Sequence, residues 1–175
     1  VSRLNPQVSL GVDVISRIKY CQEFGDGLAR LNEAVVTAIN TMLSEAASSQ
    51  GIDVLDIGHC VITGNTTMLH IIASVSPVSM GTYPFTPASL FGETASADTL
   101  GLLCTRAKTY LTPCISSFVG GDITTAILAS GLFEQDELCV LLDIGTNGEV
   151  AIGNKHGICT ASTAAHRTSG LPCLV

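Results

Sequence analysis

The segment from 138 to 152 constrains the fold of this chain most, because two apolar runs flank a short polar turn. The first run, Leu138 to Leu142, is followed by Asp143 and then by the turn Gly145-Thr146-Asn147-Gly148. Glu149 precedes the second run, Val150 to Ile152. An Asn-Gly pair between apolar runs is a strong hairpin signal. Glycine also lets backbone N–H groups approach an anion, and a neighbouring carboxylate can hold hydrated Mg²⁺. The local pattern leaves two interpretations open, a plain hairpin and a phosphate-binding loop.

Composition narrows the class of protein. With 46% hydrophobic and 13% charged residues, the chain has ample material for a core and is too apolar for intrinsic disorder. The formal charge is −7 and the eight Lys and Arg residues are scattered, which argues against a nucleic-acid partner. No apolar stretch reaches the roughly 18 residues that span a bilayer, so we expect no membrane partner.

The seven cysteines indicate a reducing compartment. They show no C-x-x-C spacing, which argues against a zinc site or a thioredoxin-like motif. An odd number of cysteines without an export signal is typical of reduced, mostly buried thiols. We therefore expect a cytoplasmic protein.

Hydrophobic periodicity predicts alternating helices and strands, followed by a run of three strands. The predicted helices begin at Asp13, Leu28, Asn65 and Asp122, the last of these placed to cap its helix. Segment 76–112 is rich in Pro and Gly and is expected to be mostly loop, with a short helix near 96–103. The predicted strands are 60–63, 115–119, 138–143, 148–153 and 157–162.

A polar glycine turn between a strand and a helix occurs twice, at Gly64-Asn65 and at Gly120-Gly121-Asp122. In an α/β sheet such turns lie at the carboxyl ends of strands, beside helix N-termini, where anionic ligands bind. Ordinary helix capping also explains each turn, since Asn and Asp are common caps. Convergence of both turns with the 143–149 turn would indicate a binding site.

Five blocks of sequence follow one another in a distinctive order: Asn5-Pro6-Gln7 with Gly11 to Ile18, Thr63 to His70, Pro84-Phe85-Thr86-Pro87, Phe118 to Ile123, and Asp143 to Glu149. Together they resemble the C-terminal, ATP-binding ASKHA domain (acetate and sugar kinase, Hsc70, actin) of the ferredoxin-containing reductive activators of corrinoid proteins. The resemblance covers the chain from Asn5 to about Ala165.

The resemblance implies an α/β fold, a ribonuclease H-like lobe of the actin, Hsp70 and sugar-kinase class with a mixed sheet and flanking helices. Members of this family use ATP and Mg²⁺ to drive electrons from their own [2Fe-2S] domain to a corrinoid protein. That step converts cob(II)alamin to cob(I)alamin. The iron–sulfur domain would lie outside this chain.

By the same resemblance, the turn Gly145-Thr146-Asn147-Gly148 contacts the β- and γ-phosphates of ATP. Asp143 positions Mg²⁺ or the attacking water. Glu149 follows the turn, and its position leaves a solvent residue and a catalytic carboxylate open, with structural or Mg²⁺-shell support favoured. Gly64 and Asn65 face the nucleotide cleft. Gly120-Gly121-Asp122 resembles the segment between lobes, where hinge motion occurs in this superfamily.

The resemblance also divides the chain. Residues 1–137 correspond to helices and strands four and five of a first lobe, 138–165 to the opening strand meander of a second lobe, and 166–175 to a divergent or foreign tail. The first phosphate loop would precede Val1, and the adenosine-binding segment would follow the last residue. We therefore expect this chain alone not to hydrolyse ATP.

This division predicts an unusual strand pairing. Strand 138–143 could pair with strand 60–63, completing one lobe by circular permutation within a chain or by strand exchange between two chains. Two other functional interpretations stay open, a small-molecule kinase of the same superfamily and a non-catalytic dimerising fragment.

Two further predictions concern single side chains. His70 in the helix after Asn65 could touch a ligand, but it is expected to be a satisfied, partly buried histidine. Arg17 and Asp13 are expected to form an ion pair on a helix surface, at i,i+4 spacing.

Overall fold

The computed structural model describes residues 1–145 and 147–163, which contain four α-helices and six β-strands. The helices are α1 (Val14–Glu23), α2 (Gly27–Gln50), α3 (Thr66–Ile72) and α4 (Gly121–Ser130). The strands are β1 (His59–Ile62), β2 (Glu93–Ser96), β3 (Lys108–Leu111), β4 (Cys139–Ile144), β5 (Gly148–Asn154) and β6 (Gly157–Thr163). The predicted tail at 166–175 lies outside the described residues.

The first sheet has the order β1-β3-β2, with β1 and β3 parallel and β2 antiparallel to β3. Helices α2 and α3 supply much of its core, where Val36 and Leu69 pack in one buried cluster with Leu111 of β3. None of the helices in the described residues is both long enough and apolar enough to cross a bilayer.

Two strands of this sheet lie in the segment that the sequence predicts to be loop. β2 and β3 have four residues each, which is too short for a clear period of two. Thr109 and Leu111 of β3 are buried, and their pairing with β1 is long-range in sequence. The predicted short helix near 96–103 is wrong, because β2 ends there in turns. The predicted strand 115–119 is reduced to one isolated bridge, between Ser116 and Val119.

The second sheet is an antiparallel meander, β4-β5-β6, and it confirms the three strands predicted at the C-terminal end. One of its faces packs on α4. Ala151 of β5 is fully buried against Ile123 of α4 and Val119, with Leu141 of β4 at the margin of this small cluster. Residues two apart on a strand share a face, so Asp143 lies on the same face as Leu141.

The predicted pairing of strand 138–143 with strand 60–63 inside one chain is wrong. Within the described residues β1 pairs with β3 and β4 pairs with β5, so the two strands belong to different sheets. The connections between β4, β5 and β6 are short, so these strands pair their backbone N–H and C=O groups with their neighbours in the chain. The parallel β1–β3 pair instead needs the long crossover through α3. Strand exchange between two chains stays a prediction.

Helix termini follow the sequence signals with one exception. Asp13 caps α1 in a capping box with Ser16, and Asn65 caps α3 by accepting a hydrogen bond from the Met68 N–H at 2.9 Å. The exception is Asp122, which lies inside the first turn of α4. The N-cap of that helix is Gly120.

Among the cysteines in the described residues, Cys104 and Cys114 are buried and Cys159 is exposed, so the prediction of mostly buried thiols holds only in part. Cys104 is fully buried, and its Sγ lies 3.5 Å from the Sγ of Cys60 on β1. Burial raises the pKa of the Cys60 thiol to about 11, so it stays protonated at neutral pH.

His70 is a core histidine whose two ring nitrogens are both used, as predicted. Nδ1 lies 2.7 Å from the Thr66 carbonyl, and Nε2 accepts from the Ser89 N–H at 3.2 Å. The ring meets Phe91 edge-on, with centroids 5.0 Å apart. The neutral Nδ1–H tautomer satisfies both bonds, and burial lowers the pKa of His70.

His70→Gln therefore tests the protonation state of this histidine. The folded chain prefers neutral His70, so its contribution is fully present above the unfolded pKa of about 6.5 and is lost as pH falls toward the lower folded pKa. We expect His70→Gln to be about 1–3 kcal/mol less stable than wild type at about pH 8, with a smaller deficit at about pH 5. Urea unfolding across this range measures the deficit, and a deficit independent of pH contradicts the assignment.

Candidate functional site

A cleft of about 290 Å³ lies where the beginnings of α1 and α4 meet the turn between β4 and β5. It brings together six residues that the sequence predicts as site residues: Asn65, Asp122, Asp143, Gly145, Asn147 and Glu149. Three segments distant in sequence thus converge at one place, the condition under which the polar glycine turns indicate a binding site. The remaining lining residues are Val12, Asp13, Val14 and Arg17.

Two carboxylates project from the second sheet into this cleft. Asp143 of β4 and Glu149 of β5 are register partners, and Glu149 is in turn the partner of Ser162 on β6. Directly paired residues on antiparallel strands share a face, with Cβ atoms roughly 4.5–5.5 Å apart. The Ser162 hydroxyl donates to Glu149 Oε1 at 3.3 Å. The resulting polar row continues the face that packs on α4.

Asp122 approaches this row from the first turn of α4. Its Oδ1 accepts a hydrogen bond from the Ile123 N–H at 3.0 Å. Burial raises the pKa of Asp122, and the charge of Asp143 adds to this shift. Burial likewise raises the pKa of Glu149, followed by repulsion from Asp122 and Asp143. The negative charges of the three carboxylates therefore repel one another, and a cation placed among them would relieve this repulsion.

Two glycines make the convergence possible. A Cβ added to Gly120 would lie 2.5 Å from the Asn65 Cα, and one added to Gly121 would lie 2.1 Å from the Thr112 Oγ1. The Asp122 N–H then donates to the Gly64 carbonyl at 3.3 Å. Gly120 thus lets the start of α4 touch the start of α3, Gly121 lets it touch Thr112, and Gly64 contributes its backbone carbonyl.

The turn between β4 and β5 already contains one internal hydrogen bond. The Gly145 N–H donates to the Asn147 carbonyl at 3.0 Å. A phosphate would have to compete for this donor. Gly148 begins β5, where its carbonyl accepts from the Thr163 hydroxyl at 3.0 Å. Thr146, the remaining predicted member of the turn, lies outside the described residues.

Sequence reasoning missed the contribution of α1 to the cleft. Arg17 is only 8% exposed, so the prediction of a surface ion pair with Asp13 is wrong. Its Nε donates to the Gly11 carbonyl at 3.0 Å, and Nη1 donates to the Met68 Sδ at 3.1 Å. The signal available in the sequence was Gly11, which stands six residues before Arg17 and leaves room for it.

A larger groove, of about 730 Å³, lies between the N-terminal segment and α2. Its lining is mainly apolar and includes Leu4, Leu10 and Ala34. None of the predicted site residues lines it. Convergent charged groups with raised pKa values mark a functional site more specifically than volume does. The smaller acidic cleft is therefore the better candidate.

The described residues contain no group of three or more His, Cys, Asp or Glu side chains close enough to hold a metal ion. Asp122, Asp143 and Glu149 share a cleft without forming such a cage. An ion bound there would need water or ligand oxygens to complete its coordination.

Gly120→Ala tests the close approach between α4 and α3. Gly120 has φ −90°, which alanine adopts readily, so the cost comes from the clash with Asn65. We expect a loss of about 1–3 kcal/mol in the free energy of unfolding. Gly58→Ala is the matched control, because nothing lies within 4 Å of a Cβ added there. Equal stability of the two variants in urea unfolding would contradict the contact.

Comparisons with known proteins agree with this fold. The model of the RACo middle region matches residues 1–135. The corrinoid activation enzyme RamQ of Eubacterium limosum is 34% identical over 168 residues, which cover 93% of this chain and 27% of that protein. A solved structure, the reductive activator for corrinoid, iron-sulfur protein, is 37% identical with a TM-score of 0.89, over 91% of this chain and 26% of that one.

The chain thus spans about a quarter of the length of these relatives. The family match ends before β4, while the comparisons with RamQ and with the solved activator extend over more than nine-tenths of the chain. On the extent of the family match, this chain belongs to the RACo middle region family.

Proposed function

We propose that this chain is part of an ATP-dependent activator that reduces a corrinoid protein from the Co(II) to the Co(I) state. The electrons come from an iron–sulfur domain outside this chain. Two similar proteins support the proposal, since one is named a corrinoid activation enzyme and the other a reductive activator for corrinoid, iron-sulfur protein. In this proposal the chain forms an ASKHA-type, ribonuclease H-like lobe. Residues 1–137 belong to one lobe and 138–165 open a second.

The observation that carries the nucleotide part is the acidic cleft. Asp122, Asp143 and Glu149 come from two different elements, α4 and the β4–β5 hairpin, and share a space of about 290 Å³. Mg²⁺ prefers oxygen ligands and keeps several of its waters. Asp122, Asp143 and Glu149 share the cleft, so in this proposal they would hold hydrated Mg²⁺ jointly with nucleotide phosphates, which would supply the remaining oxygen ligands.

In this proposal each residue of the cleft has its own role in binding Mg²⁺ or phosphate. Asp143 holds Mg²⁺ or orients a water, and Glu149 supports the ion, with Ser162 keeping its carboxylate oriented. The turn Gly145-Thr146-Asn147-Gly148 binds phosphate oxygens through backbone N–H groups. When bound, Mg²⁺ neutralises phosphate charge.

Coupling to electron transfer requires motion, because reduction of a corrinoid to Co(I) is uphill. The second sheet is held to α4 by a small cluster of buried residues, Val119, Ile123 and Ala151. If Asp143 and Asp122 both held Mg²⁺ with its nucleotide, binding would change the position of this sheet relative to α4. The tight Gly120-Gly121 contact supplies a fixed point for that movement.

Asp143→Ala tests the nucleotide site by isothermal titration with Mg·ATP. We expect the wild-type chain to bind and the variant to lose at least about tenfold in affinity, since a charged ligand to the ion is removed. Asp98→Ala is the matched control, an exposed aspartate outside the cleft. Equal affinity of both variants contradicts the assignment of Asp143.

The redox part is tested in the complete activator that contains this region. There we expect Asp143→Ala to abolish the ATP-dependent rise of Co(I) absorbance in a corrinoid protein, and Asp98→Ala to retain it. Corrinoid reduction that proceeds unchanged without ATP would refute the coupling.

The raised pKa values of Glu149 and Asp122 predict a pH dependence of Mg²⁺ binding. In the folded chain the protonated forms persist above the usual carboxyl range of about 4, so protons compete with Mg²⁺ in that window. Affinity for Mg²⁺ should fall as pH drops from neutral toward these raised pKa values. Glu149→Gln should bind more weakly at about pH 7 and show a shallower slope. A slope identical to wild type in a calorimetric titration series counts against a role for Glu149.

A further inference from the structure

Among the described residues that line the acidic cleft, Arg17 is the one basic residue. The other charged lining residues are Asp13, Asp122, Asp143 and Glu149. Arg17 lies on α1, an element to which sequence reasoning gave no role in the site. Arg17 and Asp13 lie on the α1 side of the cleft, whereas the other three carboxylates come from α4 and the β4–β5 hairpin.

Two hydrogen bonds hold the Arg17 side chain in place, and they use only some of its N–H donors. A guanidinium has five N–H donors, and the described residues provide two hydrogen bonds, to the Gly11 carbonyl and to the Met68 sulfur. A thioether is a weak acceptor. The absence of a side chain at Gly11 leaves room for Arg17, since a Cβ there would lie 2.8 Å from the Arg17 Cγ.

Burial of this charge is only partly compensated. Burial lowers the pKa of Arg17, and the neighbouring Asp13 charge opposes that shift. The ion pairs found within 4.0 Å in the described part of the chain join Arg3 to Glu45, Arg30 to Asp26, and Lys155 to Asp136. A buried guanidinium is usually paired with an anion through its fork of donors.

We propose that Arg17 binds the polyphosphate of the nucleotide, as the phosphate-recognising residue of this cleft. The inference rests on the proposed function, because it assigns a ligand group within the same site. The carboxylates of the β4–β5 hairpin face the metal ion, and Arg17 meets phosphate oxygens on the α1 side. The guanidinium fork matches the geometry of a phosphate, whereas the carboxylates alone would repel it.

Arg17→Met, which keeps the length and apolar stem of the side chain, tests this role in the 175-residue chain. Inorganic tripolyphosphate without Mg²⁺ probes phosphate binding alone, and Mg·ATP probes the complete ligand. We expect Arg17→Met to weaken both by about 10- to 100-fold, the size of a lost charge-assisted hydrogen bond. Arg17→Lys should be intermediate, because it retains the charge without the fork.

Two controls separate recognition from packing. Arg30→Met removes an exposed arginine of α2 outside the cleft, and its affinities should equal wild type. Affinity for Mg²⁺ alone should not fall in Arg17→Met, because a positive charge leaves the cleft. Should Arg17→Met not fold, Arg17→Lys keeps the charge and the long stem of the side chain and is expected to weaken tripolyphosphate binding relative to wild type.

The outcomes distinguish this inference from the function on which it rests. If Asp143→Ala loses Mg·ATP while Arg17→Met binds tripolyphosphate and Mg·ATP like wild type, the role of Arg17 is overturned and the nucleotide site stands. A lower melting temperature with unchanged affinities also overturns it, by reducing Arg17 to a packing residue. If wild type binds neither ligand, or binds only orthophosphate, both proposals fall.

Discussion

The close approach of Gly120 to Asn65 at the start of α3, and of Gly121 to Thr112 after β3, is the contact on which the rest of the structure depends. An added Cβ would meet the Asn65 Cα of the backbone at 2.5 Å in the first case and the Thr112 Oγ1 of the side chain at 2.1 Å in the second. The first sheet and α3 lie on one side of this contact, and α4 with the second sheet lies on the other. Because α4 begins there, Asp122 enters the cleft that Asn65 and the β4–β5 turn also line.

Electrostatics then defines what that cleft can hold. Asp143 and Glu149 are placed side by side by strand register, and Asp122 faces them from a helix. Burial raises the pKa of both Asp122 and Glu149, and neighbouring carboxylates add to the shift. Arg17 supplies the opposite charge from α1. A ligand that carries both a cation and an anion, as Mg²⁺ with a polyphosphate does, complements these two regions.

Much of the local structure could be predicted, and the reason is visible in particular elements. The meander β4-β5-β6 has long apolar runs and tight turns, so its pattern is self-contained. Asp13 and Asn65 begin helices by accepting local hydrogen bonds from the backbone. Gly131 ends α4 in a left-handed conformation. β2 and β3 escaped prediction because four-residue strands gain their stability from pairing partners distant in sequence. The burial of Arg17 was not predicted, because helical spacing places Asp13 beside it and does not show that this face of the helix is covered.

The sequence by itself determined the hairpin at 138–154, the polar glycine turns and the order of blocks that resembles the activators of corrinoid proteins, because these depend on neighbours in the chain. Tertiary structure alone decided that β1 pairs with β3 and not with β4. It also decided that Arg17 is buried in the cleft and that Asp122 lies near Asp143 and Glu149. These outcomes depend on the fit between surfaces far apart in sequence, where the absence of one Cβ permits a contact that an added Cβ would prevent.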